Sequence, residues 1–319
     1  MLFRSWGVGV DGRVVLSNAG YAACGAAYIN IFGMKRRLEV GAEGPWSGGA
    51  ANHNPDQGEG DYATRRAAAY RAYVEWMPLR EAGTGIHLYR SFRFGNLADL
   101  VMLDTRGLRD QQVPGNDIAA LIRPDRTLLG EPQQRWLFDE LRASQRAGHA
   151  WRILGQQVMF SRLALPGRPI VLADTWDGYQ AARDRLLEDL TSDKVDNIAI
   201  LSGDIHSSWG FDVPRNPWDG YDAASGKGSM AVEIVSPAIS SPPLFSDPVL
   251  RAGEPGLRSS LPHLKFLEGE SNGYVLLDLT RDRLQTDWYF VANVLTQRRD
   301  ERRAMRLICE RRSSRLVAG

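Results

Sequence analysis

The sequence predicts an α/β protein built on layered sheets flanked by helices. Two observations carry that expectation. Short β-branched apolar runs alternate with longer segments of helical periodicity, and three of those runs end abruptly in polar clusters. With 319 residues, 43% hydrophobic and 24% charged, and a formal net charge of +1, the composition is that of a soluble globular protein with one large domain or two small ones. That balance argues against a nucleic-acid-binding polyelectrolyte. No stretch approaches the ~18 apolar residues needed to span a bilayer. The first residues lack the continuous apolar core of a signal peptide.

In chain order, residues 62–77 are rich in Ala and Arg and predict a helix stopped by Pro78. Two strands are expected next, over 87–94 and 97–103, the second ending at Asp104-Thr105-Arg106. Pro132 suits the first turn of a helix over 131–146, with Trp136, Leu137 and Leu141 on one face. A strand over 151–154 then ends in Gly155-Gln156-Gln157. A helix over 180–191 follows, turning Ala182, Leu186, Leu187 and Leu190 inward. The run 198–201 predicts a strand buried on both faces. Another strand is expected over 231–235, then a loop rich in Gly, Pro and Ser to about 262. A hairpin flanks the turn Arg281-Asp282-Arg283. Arginines crowd the end of the chain, and 296–319 reads as a solvated Arg-rich helix. Cys24 and Cys309 show no metal-type spacing.

The segment Asn197-Ile-Ala-Ile-Leu-Ser-Gly-Asp204-Ile-His206-Ser-Ser is the most informative. Gly203 lets the backbone turn sharply off the strand, and a carboxylate and an imidazole follow two residues apart. Such a pair suits Zn, Mn or Fe, or Ca in an oxygen-rich shell, at the carboxyl end of a strand where ligands commonly bind. Taken alone, the pair equally suits a capped turn and a satisfied loop histidine. If the strands are parallel, Asp104 with Arg106, Gln156 with Gln157, and Asp204 with His206 converge on one rim, although Asp104 and Arg106 alone also suit a loop-pinning ion pair. His53, between Asn52 and Asn54, suits either a substrate-facing loop or a plain surface position. Arg90 and Arg93 read as solvated strand residues, His87, His149 and His263 as surface, and Trp136, Trp288 and Tyr289 as core.

Several motifs in this order resemble the PhoD-type alkaline phosphatases. They are Trp46-Ser-Gly-Gly-Ala-Ala-Asn52-His53-Asn54-Pro, Gly58-Glu-Gly-Asp61, Arg65-Arg66, Tyr73-Val-Glu75-Trp76-Met-Pro78, Leu103-Asp104-Thr-Arg106, Gly155-Gln156-Gln157, Asp174-Thr-Trp176-Asp-Gly-Tyr179 and Gly203-Asp204-Ile-His206. The resemblance runs over about 41–295. It implies a calcineurin-like metallophosphoesterase core of two packed sheets, a multinuclear centre of iron with calcium, and hydrolysis of phosphate monoesters and diesters at alkaline pH. Asp204 and His206 match the family's C-terminal metal-ligand motif and are the candidate catalytic and metal-binding residues. Gln156, Gln157 and His53 are the candidate substrate-binding residues. The resemblance also implies a periplasmic or secreted location.

The chain departs from that pattern at its start. The family's early Gly-Asp motif and its Trp-Asp-Asp-His-Glu motif are missing; in place of the latter stands Arg36-Arg37-Leu-Glu39-Val-Gly-Ala-Glu43-Gly-Pro-Trp46. Residues 1–40 suit a truncated or frame-shifted beginning. A two-metal phosphoesterase needs a bridging carboxylate and several more ligands. Glu39, Glu43, His53 and Asp61 are the available substitutes. The expected alternatives are an inactive remnant and a subunit whose fold a partner chain completes.

Overall fold

In the computed structural model, the described residues are 7–8, 13–16, 61, 63–64, 67–68, 71, 88–168, 172–296 and 300–319. His53, Cys24, His87, Glu39 and Glu43 lie outside them. Of the expected helix over 62–77, the described residues 63–64, 67–68 and 71 are helical. Asp61 caps it by accepting hydrogen bonds from Thr64 N and Oγ1 at 2.9 and 2.7 Å.

Two sheets carry the fold. The larger joins β3 (Arg90–Phe94), β4 (Ala98–Met102), β5 (Trp151–Gly155), β6 (Ile198–Ser202), β7 (Ser208–Pro214), β8 (Ser229–Val235) and β9 (Leu264–Glu268) in the order β3-β4-β5-β6-β8-β7-β9. Strands β4, β5, β6 and β8 are mutually parallel, and β3, β7 and β9 run antiparallel to their neighbours. The second sheet is antiparallel. It comprises β1 (Gly7–Val8), β2 (Arg13–Leu16), β10 (Gly273–Leu279), β11 (Arg283–Val291), β12 (Glu301–Glu310) and β13 (Val317–Ala318), in the order β1-β2-β10-β11-β12-β13. Helices α1 (Ile118–Leu121), α2 (Gly130–Arg146), α3 (Gln180–Ser192) and α4 (Pro248–Ser260) connect and cover the strands, with short 3-10 turns at Trp176–Tyr179 and Leu244–Ser246.

Alternation along β6 shows how the layers assemble. Ile198 and Ile200 join Leu137, Leu141, Leu186, Leu187 and Leu190 under helices α2 and α3. Ala199 and Leu201 face the other way, into a core shared with Val275, Leu277, Trp288 and Leu307 of the second sheet. The strand is therefore apolar on both sides, as a sheet sandwiched between helices and a second sheet requires. The same logic buries Ala182, Leu186, Leu187 and Leu190 on the expected face of α3. Trp288 is fully buried, whereas Trp136 and Tyr289 are only partly so.

Three expectations give way. The terminal arginines do not form a helix: the expected helical span contains β12, whose Leu307 and Cys309 face the core. Arg306, on the opposite side of that strand, makes a two-pronged bond to Asp287 across the sheet at 2.7 and 2.9 Å. Two-residue alternation and a cross-strand partner outweigh helix propensity here. The Gly/Pro/Ser-rich stretch before residue 262 holds α4. Asp247 caps it by accepting from Val249 N at 2.7 Å, and Pro248 occupies its first turn. Two of the histidines read as surface are buried. His263 stacks on Phe211 with ring centroids 5.1 Å apart, and burial pushes its pKa down to about 3.

His149, the other, pairs through Nδ1 with Asp99 Oδ2 at 2.5 Å, at the ends of β4 and β5 opposite the rim, and Arg93 Nε adds a bond to Asp99 at 3.2 Å. Burial opposes ionisation of Asp99, but hydrogen bonds from His149 and Arg93 among its neighbours outweigh it and hold the carboxyl below the usual range. A depressed folded pKa gives stability that is complete above the unfolded value and is lost as pH falls through the folded one. Asp99→Asn is therefore expected to lower stability by ~1–3 kcal/mol at neutral and alkaline pH. Urea unfolding at pH 8 and pH 3 checks this, with the difference from wild type shrinking at the lower pH.

Candidate functional site at the carboxyl ends of the parallel strands

Because β4, β5 and β6 are parallel and adjacent, the three polar clusters that follow them do meet on one rim. After β4, Asp104 Oδ1 accepts from Arg106 N at 2.9 Å and Gly107 N at 2.8 Å, folding the loop back on itself. The expected Asp104–Arg106 ion pair is thus a carboxylate-to-backbone contact instead. The guanidinium turns to Asp174, 2.6 Å from Nη1 to Oδ1. Gln133 of α2 clamps the same loop, accepting from Asp104 N at 2.7 Å and donating to Asp104 O at 2.8 Å.

After β5, both glutamines turn inward. Gln157 accepts from Thr105 N and Oγ1 at 2.9 and 2.7 Å and donates to Leu103 O at 2.8 Å. Gln156 accepts from Trp176 Nε1 at 3.0 Å and donates to Ser202 Oγ at 2.7 Å. Both are buried, and these bonds tie the rim loops together; the arrangement offers neither amide to a bound substrate.

Beneath them lies a group the sequence reading passed over. Glu233, in the middle of β8 and fully buried, accepts from Phe160 N and Ser161 N, each at 2.7 Å, and from Ser202 Oγ at 2.5 Å. Its signal was a single carboxylate inside the apolar run Ala231-Val-Glu-Ile-Val. Burial raises its pKa while the hydrogen bonds pull it back. The chain from Trp176 through Gln156 and Ser202 to Glu233 links the loop of Asp174 to the strand that carries Asp204.

Past Ser202 the backbone takes an unusual course. Asp204 and His206 both adopt left-handed conformations, with φ of 70° and 57°, and Ile205 N donates to Gly203 O at 2.8 Å. For a residue with a Cβ this costs about 1 kcal/mol each, and such strain persists where surrounding structure enforces it. The result presents both side chains at the rim: the Asp204 side chain keeps 37% of its surface, and His206 is half-buried. His206 Nδ1 lies 3.1 Å from Pro242 O. A carbonyl only accepts, so Nδ1 is the donor in this contact, and Nε2 is the ring nitrogen left for another partner.

Charge organises the remainder. Asp174 Oδ1 takes Arg106 Nη1 and also Arg109 Nη1, the latter at 2.5 Å. Burial opposes ionisation of Asp174, but the two guanidiniums overcome it and hold the carboxyl below its ordinary range. Asp204 goes the other way. The surrounding protein pushes its carboxyl up against the pull of Arg106, and the charge of Asp174 adds to the rise. Gly178 seats the Asp174 loop, since a Cβ there would stand 1.9 Å from Ala173 O. Asp174 and Arg109, like Glu233, were not singled out as site residues; the Arg106-Gly-Leu-Arg109 spacing was the available signal.

As donors to a metal, Asp204 and His206 supply one carboxylate and one imidazole. Among the described residues no group of three or more His, Cys, Asp or Glu is placed to hold an ion. The nearby Asp174 is committed to two arginines, and Arg106 Nη2 stands 3.6 Å from Asp204. The described residues therefore do not form a metal shell by themselves.

The sequence profile of a family described as PhoD-like phosphatase matches residues 39–288. Alkaline phosphatase D of Bacillus subtilis (strain 168) is 35% identical over 252 residues, covering 75% of this chain and 41% of that protein. A solved structure described as "Structure of PhoD" superposes with a TM-score of 0.66 at 30% identity, covering 80% of this chain and 48% of the other. The chain thus spans less than half the length of these two relatives.

Glu233→Ala leaves two buried amides and a hydroxyl without their acceptor and is expected to cost about 3 kcal/mol or more. Glu233→Gln, which keeps one carbonyl oxygen, is expected to cost less. Denaturant unfolding of both variants checks the order.

Proposed function

Because the chain belongs to the PhoD-like phosphatase family, we propose that it is a metal-dependent phosphoric ester hydrolase acting on phosphate monoesters and diesters, with its chemistry centred on Asp204 and His206. The observation that carries this reading is the strained turn at the end of β6, which sets a carboxylate and an Nδ1-protonated imidazole side by side at the rim. Strain of this kind, at the crevice beyond parallel strands, is the usual mark of a functional position.

Metal ions, when bound, would supply activated water and neutralise charge at phosphorus, with iron and calcium, zinc or manganese as the ions that suit such donors. Asp204 and His206 are the two donors that the described rim contributes. Further ligands would have to come from residues outside the described set or from another chain. The remaining rim residues hold the site in shape: Asp104 folds its loop, Gln156 and Gln157 brace it, and Asp174 anchors Arg106. A substrate-facing role for His53 is part of the same proposal. So is a periplasmic or secreted location, and no helix among the described residues is long and apolar enough to cross a membrane.

A second reading is that the chain is an inactive remnant, or a subunit completed by a partner chain. Among the described residues β3 pairs only with β4, leaving an edge that bears the exposed Phe92.

Elemental analysis after purification with Fe, Ca, Zn and Mn present, combined with hydrolysis of p-nitrophenyl phosphate and its bis ester, separates the two. Two or more ions per chain, with turnover lowered about 100-fold or more by Asp204→Asn and by His206→Ala, is the expected result. One ion or none, without turnover sensitive to either variant, supports the remnant or subunit.

A further inference from the structure

Two guanidinium groups at the rim converge on a single carboxylate oxygen. Arg106 Nη1 and Arg109 Nη1 lie 2.6 and 2.5 Å from Asp174 Oδ1. Arg109 is the buried partner, its side chain 0% exposed, and one of its bonds would suffice to balance Asp174. Arg106 keeps 11% of its side chain at the surface, and its positive charge is in excess of what Asp174 requires. Its Nη2 points to the strained turn, 3.6 Å from Asp204 Oδ1, beyond hydrogen-bond length. Its Nη1 bond to Asp174 is its one side-chain hydrogen bond among the described residues, although a guanidinium has five N–H donors.

The arrangement is that of a cation held rigid by one anion and presented to another. Asp174 fixes the long side chain, so little conformational freedom remains to be lost on binding. A planar guanidinium matches the spacing of phosphate oxygens, and its bonds to them are charge-assisted. With Asp174 and Asp204 beside it, Arg106 stays protonated throughout the alkaline range.

We propose that Arg106 is the substrate-phosphate ligand, its Nη2 edge donating to a non-bridging oxygen of an ester placed over Asp204 and His206. Asp174 and Arg109 act through it, as positioning residues. The inference rests on the hydrolase reading above and adds a preference to it. A phosphate monoester dianion gains more from Arg106 than a diester monoanion does.

The test uses inorganic phosphate as the probe, titrated calorimetrically into wild type, Arg106→Lys and Arg106→Ala, beside kcat and KM for p-nitrophenyl phosphate and its bis ester. Wild type is expected to bind phosphate saturably, Arg106→Lys about tenfold more weakly, and Arg106→Ala more weakly again. KM is expected to rise more for the monoester than for the diester. Unchanged phosphate affinity in the folded variants overturns the proposal, as does an equal loss for the two esters or an absence of phosphate binding by wild type. Should the alanine variant fail to fold, Arg106→Lys, which keeps the charge opposite Asp174, decides the matter. Arg106-dependent phosphate binding without turnover would retire the hydrolase reading and leave this inference standing. Turnover that depends on Asp204 and His206, with phosphate binding indifferent to Arg106, would do the reverse.

Discussion

A carboxylate buried in the middle of a mixed sheet must have every charge-bearing oxygen satisfied, and the rim of this protein is arranged around that requirement. Glu233 meets it with two backbone amides and the Ser202 hydroxyl. Ser202 is the last residue of β6, and Gln156, which donates to it, also accepts from Trp176. The strand ends, the loop of Asp174 and the turn of Asp204 are thereby joined by one chain of hydrogen bonds in a low-dielectric interior, where a missing partner is most costly. The two departures into left-handed backbone, at Asp204 and His206, lie on the turn that leaves this network.

Above this floor, charge balance takes over. Asp174 is claimed by Arg106 and Arg109, while Asp204 stands at the surface with Arg106 near but not bonded. The two carboxylates are pushed in opposite directions, Asp174 down and Asp204 up, by different mixtures of burial and neighbouring charge. Divergence of this kind within one cleft is typical of sites that bind or transform charged ligands. Nothing in the core packing calls for it.

The sequence disclosed the layered α/β architecture well, because β4, β5, β6, α2 and α3 each have a periodicity that agrees with their burial. The rim was legible for the same reason: parallel strands in one sheet must end together, so polar residues after each apolar run converge. What could not be read was partner choice. Arg106 next to Asp104 suggested a local ion pair, whereas its partner is Asp174, 68 residues away. The glutamines looked like ligand-facing groups because inward and outward amides have the same local sequence signature. The terminal arginines looked helical because the partner of Arg306, Asp287, belongs to a strand that pairs only in three dimensions. Charge, unlike apolar periodicity, carries no local record of which direction it faces.

The proposed function requires the turn after β6 to present Asp204 and His206 as one binding unit. The most direct measurement is the nitrogen-15 resonance pattern of His206 in the full chain at pH 8, before and after adding Mn²⁺. The expected result is a ring with a proton at Nδ1, its signals broadened by Mn²⁺ in wild type but not in Asp204→Asn. A ring without a proton at Nδ1, or signals that stay sharp with Mn²⁺ in wild type, would contradict that arrangement.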